Sequence, residues 1–157
     1  MPTPALPDLL TGALVVAVDD SEPALEALRF ARGLAAGLGQ PLAVVSVWNF
    51  VNSPQPAGQG DAPPSQAVWQ TEADSRLAAL LDGQQGPDVE LRPVVLHGNT
   101  TPVLLEVSRR AAHLVVGSRG RGGFAGMLLG STSDNLVRHA ACPVTVVRTP
   151  DTEGSTG

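Results

Sequence analysis

Between residues 117 and 133 the chain places glycines at 117, 120, 122, 123, 126 and 130, arginines at 119 and 121, and the run Ser131, Thr132, Ser133. Gly117 and Gly120 permit positive φ and close backbone approach to an anion, so that successive N–H groups form a concave nest. Gly130 and the three hydroxyl residues read as the start of a helix, where the first amides have no intrahelical acceptor and the dipole favours negative charge. Arg119 and Arg121 add positive charge beside them. The chemistry available here is the holding of a phosphate. A separate candidate for ligand contact is Asp19, which follows an apolar run at 12–18.

Alternative phosphate and catalytic motifs fail on inspection. A P-loop requires Gly-Lys-Ser/Thr, and the sequence contains no lysine. Gly120, Gly122 and Ala125 formally fit a dinucleotide fingerprint, but no acidic residue follows the next strand until Asp151, so the expected ribose partner is missing. Asp19 and Asp20 make a poor acid/base pair because adjacent strand-end side chains diverge. Asp19 can also serve as a turn former, and Ser131 with Asp134 has the form of a capping box. His97, His113 and His139 show no i,i+4 pair, and the single cysteine, Cys142, excludes a cysteine-cluster metal site and an intramolecular disulfide. Cys142 reads as a small buried hydrophobe, His139 as a helix C-terminal cation, and Trp48 and Trp69 as packing residues, Trp48 with an option to wall a ligand pocket.

The elements that must position these residues alternate in hydrophobic period. Buried strands are predicted at 12–18, 42–48, 89–96, 114–116 and 142–147, and helices at about 21–38, 66–81, 100–111 and 131–139. Pro93 demotes its strand to a sheet edge. The pattern predicts an α/β fold, a single-domain open doubly wound parallel sheet of five strands in order 3-2-1-4-5 with about four helices. In such a sheet ligands sit beyond the carboxyl ends of the strands where the order reverses, here between the first and fourth strands. Residues 1–10 and 150–157 read as flexible termini around a domain at 11–149. The Pro-, Gly- and Gln-rich stretch 49–66 reads as a mobile loop within it.

With 157 residues, 43% hydrophobic and 16% charged, the chain has material for one core. No apolar run reaches the ~18 residues of a membrane span, and the first ten residues have no signal-peptide form, so a cytoplasmic location is expected. The net charge of -5 has the wrong sign for nucleic acid or an anionic membrane. The charge is uneven: residues 105–148 hold six arginines against two acids, which favours a small anionic ligand there. The exposed valine row at the fifth strand, with Val144 and Val146, invites edge pairing between two copies.

Three landmarks stand in order: Val16, Ala17, Val18, Asp19 and Ser21 near the start, Gly117-x2-Gly120-x9-Gly130-Ser131, and Cys142, Pro143, Val144, Val146 and Val147 at the end. Over residues 12–148 this resembles the universal stress protein family. The resemblance implies a cytoplasmic homodimer of the family's ATP-binding branch, a Rossmann-like sheet of the adenine nucleotide alpha hydrolase type, and no catalytic turnover common to all members. It implies that Asp19 and the Ala17 and Val18 backbone meet the adenosine, that Val47 contacts adenine, and that Val116 and Gly117 line the same crevice. Arg119 would lie next to the triphosphate. Gly120, Gly130, Ser131, Thr132 and Ser133 would hold the phosphates through N–H and hydroxyl groups, with Mg2+ bound mainly by those phosphates. Asp20 stands where the family usually has a small residue, and His113 where it often has aspartate, a change read as altering a surface contact. Three functions follow: a nucleotide-dependent stress-response or signalling module, a slow ATPase or autophosphorylating protein using Ser131, Thr132 or Ser133, and a structural homodimer that binds no nucleotide.

Overall fold

Short runs of valine and leucine, apolar on both faces, form the centre of the molecule. The computed structural model describes residues 5–57, 61–120 and 128–149. In chain order the elements are β1 (Leu14–Ala17), α1 (Glu22–Leu38), β2 (Leu42–Trp48), α2 (Gln66–Asp82), β3 (Leu91–His97), α3 (Thr100–Ser108), β4 (His113–Gly117), α4 (Ser131–His139) and β5 (Val144–Val147). All strand pairs are parallel and the order is β3-β2-β1-β4-β5, as the sequence pattern predicts. Leu14 lies opposite Leu42 on one side and His113 on the other, and Val16 lies between Val44 and Val115.

Strand alternation divides the core into two layers. Val15 and Val45 join Leu104, Val107 and Leu136 under α3 and α4. Leu14, Val16 and Val44 join Ala27, Leu28 and Ala31 of α1 and Leu77 of α2 on the opposite face. Complete burial of a leucine or valine contributes roughly 1.5–3 kcal/mol, so these central positions hold the sheet together. Pro93 pairs with Val44 on the edge strand β3, where its missing N–H costs no ladder bond.

Several boundaries differ from the sequence reading. Gly12 takes φ +68° and turns the chain, so β1 begins at Leu14 and not at residue 12. Pairing of β5 begins at Val144, opposite Leu114, after Pro143. The stretch 5–10, read from sequence as part of a flexible terminus, packs on the sheet: Asp8–Leu10 form one 3-10 turn, and Leu6 and Leu10 are buried in the core beside α3. Two leucines four residues apart provide enough apolar area to hold this short segment. The tail 150–157 lies outside the described residues. No helix among the described residues is long and apolar enough to cross a membrane.

Candidate functional site

Parallel strands bring the starts of their following helices to one end of the sheet, and there a crevice of about 790 Å³ opens above β1, β2 and β4. Its volume lies in the range of small-molecule sites, roughly 300–1,000 Å³. All twelve residues singled out from the sequence line it: Ala17, Val18 and Asp19 after β1, Val47 from β2, Val116 and Gly117 from β4, Arg119 and Gly120 from the following loop, and Gly130, Ser131, Thr132 and Ser133 at the start of α4. Its lining combines the apolar side chains of Ala17, Val45, Val47, Leu104 and Val116 with the first turn of α4. Arg121 and the remaining glycines of 121–127 lie outside the described residues.

Each polar group has a definite local task. Asp19 Oδ1 accepts hydrogen bonds from the amide (2.9 Å) and hydroxyl of Ser21, so the turn-forming role is present. Ser21 then caps α1, its Oγ accepting from the Ala24 amide at 3.3 Å. Asp19 Oδ2 points toward Gly120: a Cβ on that glycine would come within 3.1 Å of it. Asp19 thus joins the α1 entry to the glycine loop, while Asp20 is exposed and does not line the crevice.

The glycines serve close approach and not left-handed backbone. Among the described glycines only Gly12, Gly39 and Gly98 have positive φ, which corrects the conformational reading of Gly117 and Gly120. A Cβ at Gly117 would sit 2.7 Å from the Pro23 carbonyl oxygen, so only glycine lets β4 pass the start of α1. The capping-box reading of Ser131 and Asp134 is also corrected. Gly130 is the N-cap and Ser131 the first helical residue, while Asp134 pairs with Arg138 at 3.1 Å.

At the start of α4 donors are divided between structure and the crevice. The Gly130 amide donates to the Ser118 carbonyl at 2.7 Å, and the Ser133 hydroxyl donates to the Gly117 carbonyl at 2.6 Å. The first intrahelical bond runs from the Asp134 amide to the Gly130 carbonyl. The amides of Ser131, Thr132 and Ser133 therefore have no intrahelical acceptor, and all three residues line the crevice. Thr132 Oγ1 lies 3.0 Å from Thr101 Oγ1, which ties this turn to the start of α3. The arrangement can seat an anion on backbone N–H groups at a helix N-terminus.

Sequence reading missed a second set of lining residues: Asn49, Asn52 and Ser53 after β2, and Asn99, Thr100 and Thr101 at the start of α3. Asn49, Asn52 and Ser53 belong to the long loop, and the polar turn residues there were the available signal. Trp48 is a packing residue, stacked on Trp69 (5.8 Å between centroids) and His97 (4.2 Å), and it does not line the crevice. His113 Nε2 lies 2.7 Å from Thr145 Oγ1, joining β4 to β5 away from the crevice. Burial pushes the Cys142 thiol above its ordinary pKa, in keeping with a packed side chain. Among the described residues no group of three His, Cys, Asp or Glu could hold a metal ion.

The sequence model of the universal stress protein family matches residues 12–148. The chain is 37% identical over 135 residues to a universal stress protein of Mycolicibacterium smegmatis, an overlap covering 82% of this chain and 43% of that relative. The chain spans about half the length of the curated relatives it matches. Among solved structures, a universal stress protein in complex with cAMP is similar at 27% identity and a TM-score of 0.55, covering 88% of this chain and 97% of that one. A universal stress protein family protein from Arabidopsis thaliana with AMP bound shares the fold at 20% identity and a TM-score of 0.56, covering 92% and 97%. With this fold, this crevice and these matches, the chain belongs to the universal stress protein family.

Proposed function

We propose that the crevice binds an adenine nucleotide, ATP with Mg2+ carried on its phosphates, and that the chain is a cytoplasmic, homodimeric stress-response or signalling module whose contacts change with occupancy. One observation carries this reading: Ser131, Thr132 and Ser133, whose amides have no intrahelical acceptor, line the same cavity as the apolar Ala17, Val47 and Val116. An anion seat and apolar side chains in one cavity suit the phosphate and the base of a nucleotide. The relatives solved with cAMP and with AMP support the same class, since both ligands are adenosine carrying phosphate on the 5′ oxygen. Asp19, which lines the crevice just after β1, is suited to the ribose, and Arg119 to the phosphate.

Hydrolysis is not required by this arrangement. Ser133, a candidate phosphoacceptor by sequence, is buried and donates its hydroxyl to Gly117, which withdraws it from a nucleophilic role. Nucleotide released from natively purified protein, identified by absorbance and mass, is the direct test. Calorimetry of nucleotide-free protein with ATP, ADP and AMP should give a micromolar Kd, which corresponds to about 8 kcal/mol. No heat with any of the three overturns the proposal. Incubation with γ-labelled ATP should give neither turnover nor label on the protein; label on Ser131 or Thr132 would make the chain an autophosphorylating enzyme instead.

A further inference from the structure

Beyond β2 the chain makes a tight turn whose geometry is set by one buried side chain. Asn49 is 8% exposed. Its Oδ1 accepts from the amides of Val51 at 3.0 Å and Asn52 at 2.7 Å, and its Nδ2 donates to the Gly98 carbonyl at 3.4 Å. Its own amide donates to Ser53 Oγ at 3.0 Å. On the far side of the turn Phe50 packs edge-on against Trp48 and Trp69, each with centroids 5.2 Å away. The turn is therefore fixed from both sides, and it presents Asn52 and Ser53 to the crevice.

The position of this turn matters because β2 and β4 flank β1. With strands about 4.8 Å apart, the β2 tip stands roughly 10 Å across the sheet from the β4 tip that leads to α4. A nucleotide with its phosphate on the α4 amides directs its base toward Val47 and the 49–53 turn. Asn52 is exposed, and its carboxamide is not engaged by any described residue. A carboxamide offers an acceptor and a donor side by side, and adenine offers the matching N6–H donor beside a ring-nitrogen acceptor.

We infer that Asn52, held in place by Asn49, is the base-reading residue of the crevice and confers preference for adenine through its 6-amino group. This inference rests on the nucleotide reading proposed above. The test is calorimetry with AMP and with purine riboside 5′-monophosphate, which is the same molecule without the 6-amino group. Wild-type protein should prefer AMP by about tenfold, and Asn52→Ala should bring the two affinities together. Asn52→Asp adds a sharper arm. A carboxylate still accepts from N6–H but opposes the adjacent ring nitrogen of adenine, whereas it complements the N1–H and N2–H donors of guanine. The ratio of AMP to GMP affinity should therefore fall further in Asn52→Asp than in Asn52→Ala, and because both ligands carry the same phosphate the added charge cancels from that ratio. If wild-type protein binds AMP and purine riboside 5′-monophosphate equally, or if Asn52→Ala leaves their ratio unchanged, Asn52 does not read the base although the nucleotide site stands. If wild-type protein gives no heat with ATP, ADP or AMP, both readings fall together.

Discussion

Gly117 and Gly120 sit three residues apart in one motif, yet they answer to different physical constraints. A methyl group at 117 meets the Pro23 carbonyl, which is backbone and cannot step aside, whereas one at 120 comes within 3.1 Å of Asp19 Oδ2, a side-chain atom that need shift only slightly. Gly117→Ala should therefore destabilise the fold by about 1–3 kcal/mol, the ordinary cost of overpacking, seen as a lowered Tm. Gly120→Val should leave the Tm near that of wild type and weaken ATP binding by about a hundredfold, or about 2.7 kcal/mol. Unchanged ATP affinity in Gly120→Val would refute the placement of the phosphates. Cys142 gives a third test at this scale. Burial raises its pKa and so lowers the thiolate fraction at any pH below it. Alkylation by iodoacetamide at pH 8 should be several-fold slower in native protein than in denaturant, followed by mass; equal rates would show an accessible thiol.

The element that organises the anion seat is the first turn of α4, fixed to the end of β4 by Gly130 through Ser118 and by Ser133 through Gly117. Ser133→Ala removes the hydrogen bond that this buried side chain donates to the Gly117 carbonyl. It should cost about 1–2 kcal/mol, and at 2–4 °C per kcal/mol for a chain of this size the Tm should fall by roughly 2–8 °C. ATP affinity should drop with it as the helix start loosens; an unaltered Tm would mean that the hydroxyl has no structural part. Much of this element was legible in the sequence. The strands read clearly because burial on both faces demands runs such as Val15-Val16 and Val44-Val45, and the Ser-Thr-Ser run marks a helix start from chemistry alone. Local pattern could not decide whether Ser131 is the N-cap or the first helical residue, because that depends on Gly130 meeting Ser118 from another segment. Nor could it reveal Asn49, Asn52 and Thr101 at the crevice. Asn and Thr in loops signal turns and helix starts, but the direction of those loops follows from how the tips of β2, β3 and β4 assemble, which is tertiary information.

At the scale of the whole molecule the two edges of the sheet are unlike. On β3, Pro93 interrupts the outer row of amides and disfavours pairing with another strand. On β5 no proline falls within Val144–Val147, and all four residues remain half-buried in the isolated chain. Val144 and Val146 pack on the core beneath α3 and α4 while keeping part of their surface open. A second copy adding its β5 edge would cover that surface and pair the exposed backbone, so association through β5 is the expected mode of dimerisation. Light scattering should give a dimer for wild-type protein and a monomer for Val146→Asp, with Val144→Lys as an independent variant should the first lose too much stability. Leu38→Asp places the same charge on an exposed leucine of α1, in the opposite layer, and should leave the dimer intact. Circular dichroism of each variant separates dissociation from unfolding. A folded Val146→Asp protein that still scatters as a dimer would move the interface away from β5, and dissociation of Leu38→Asp would move it to the α1 face.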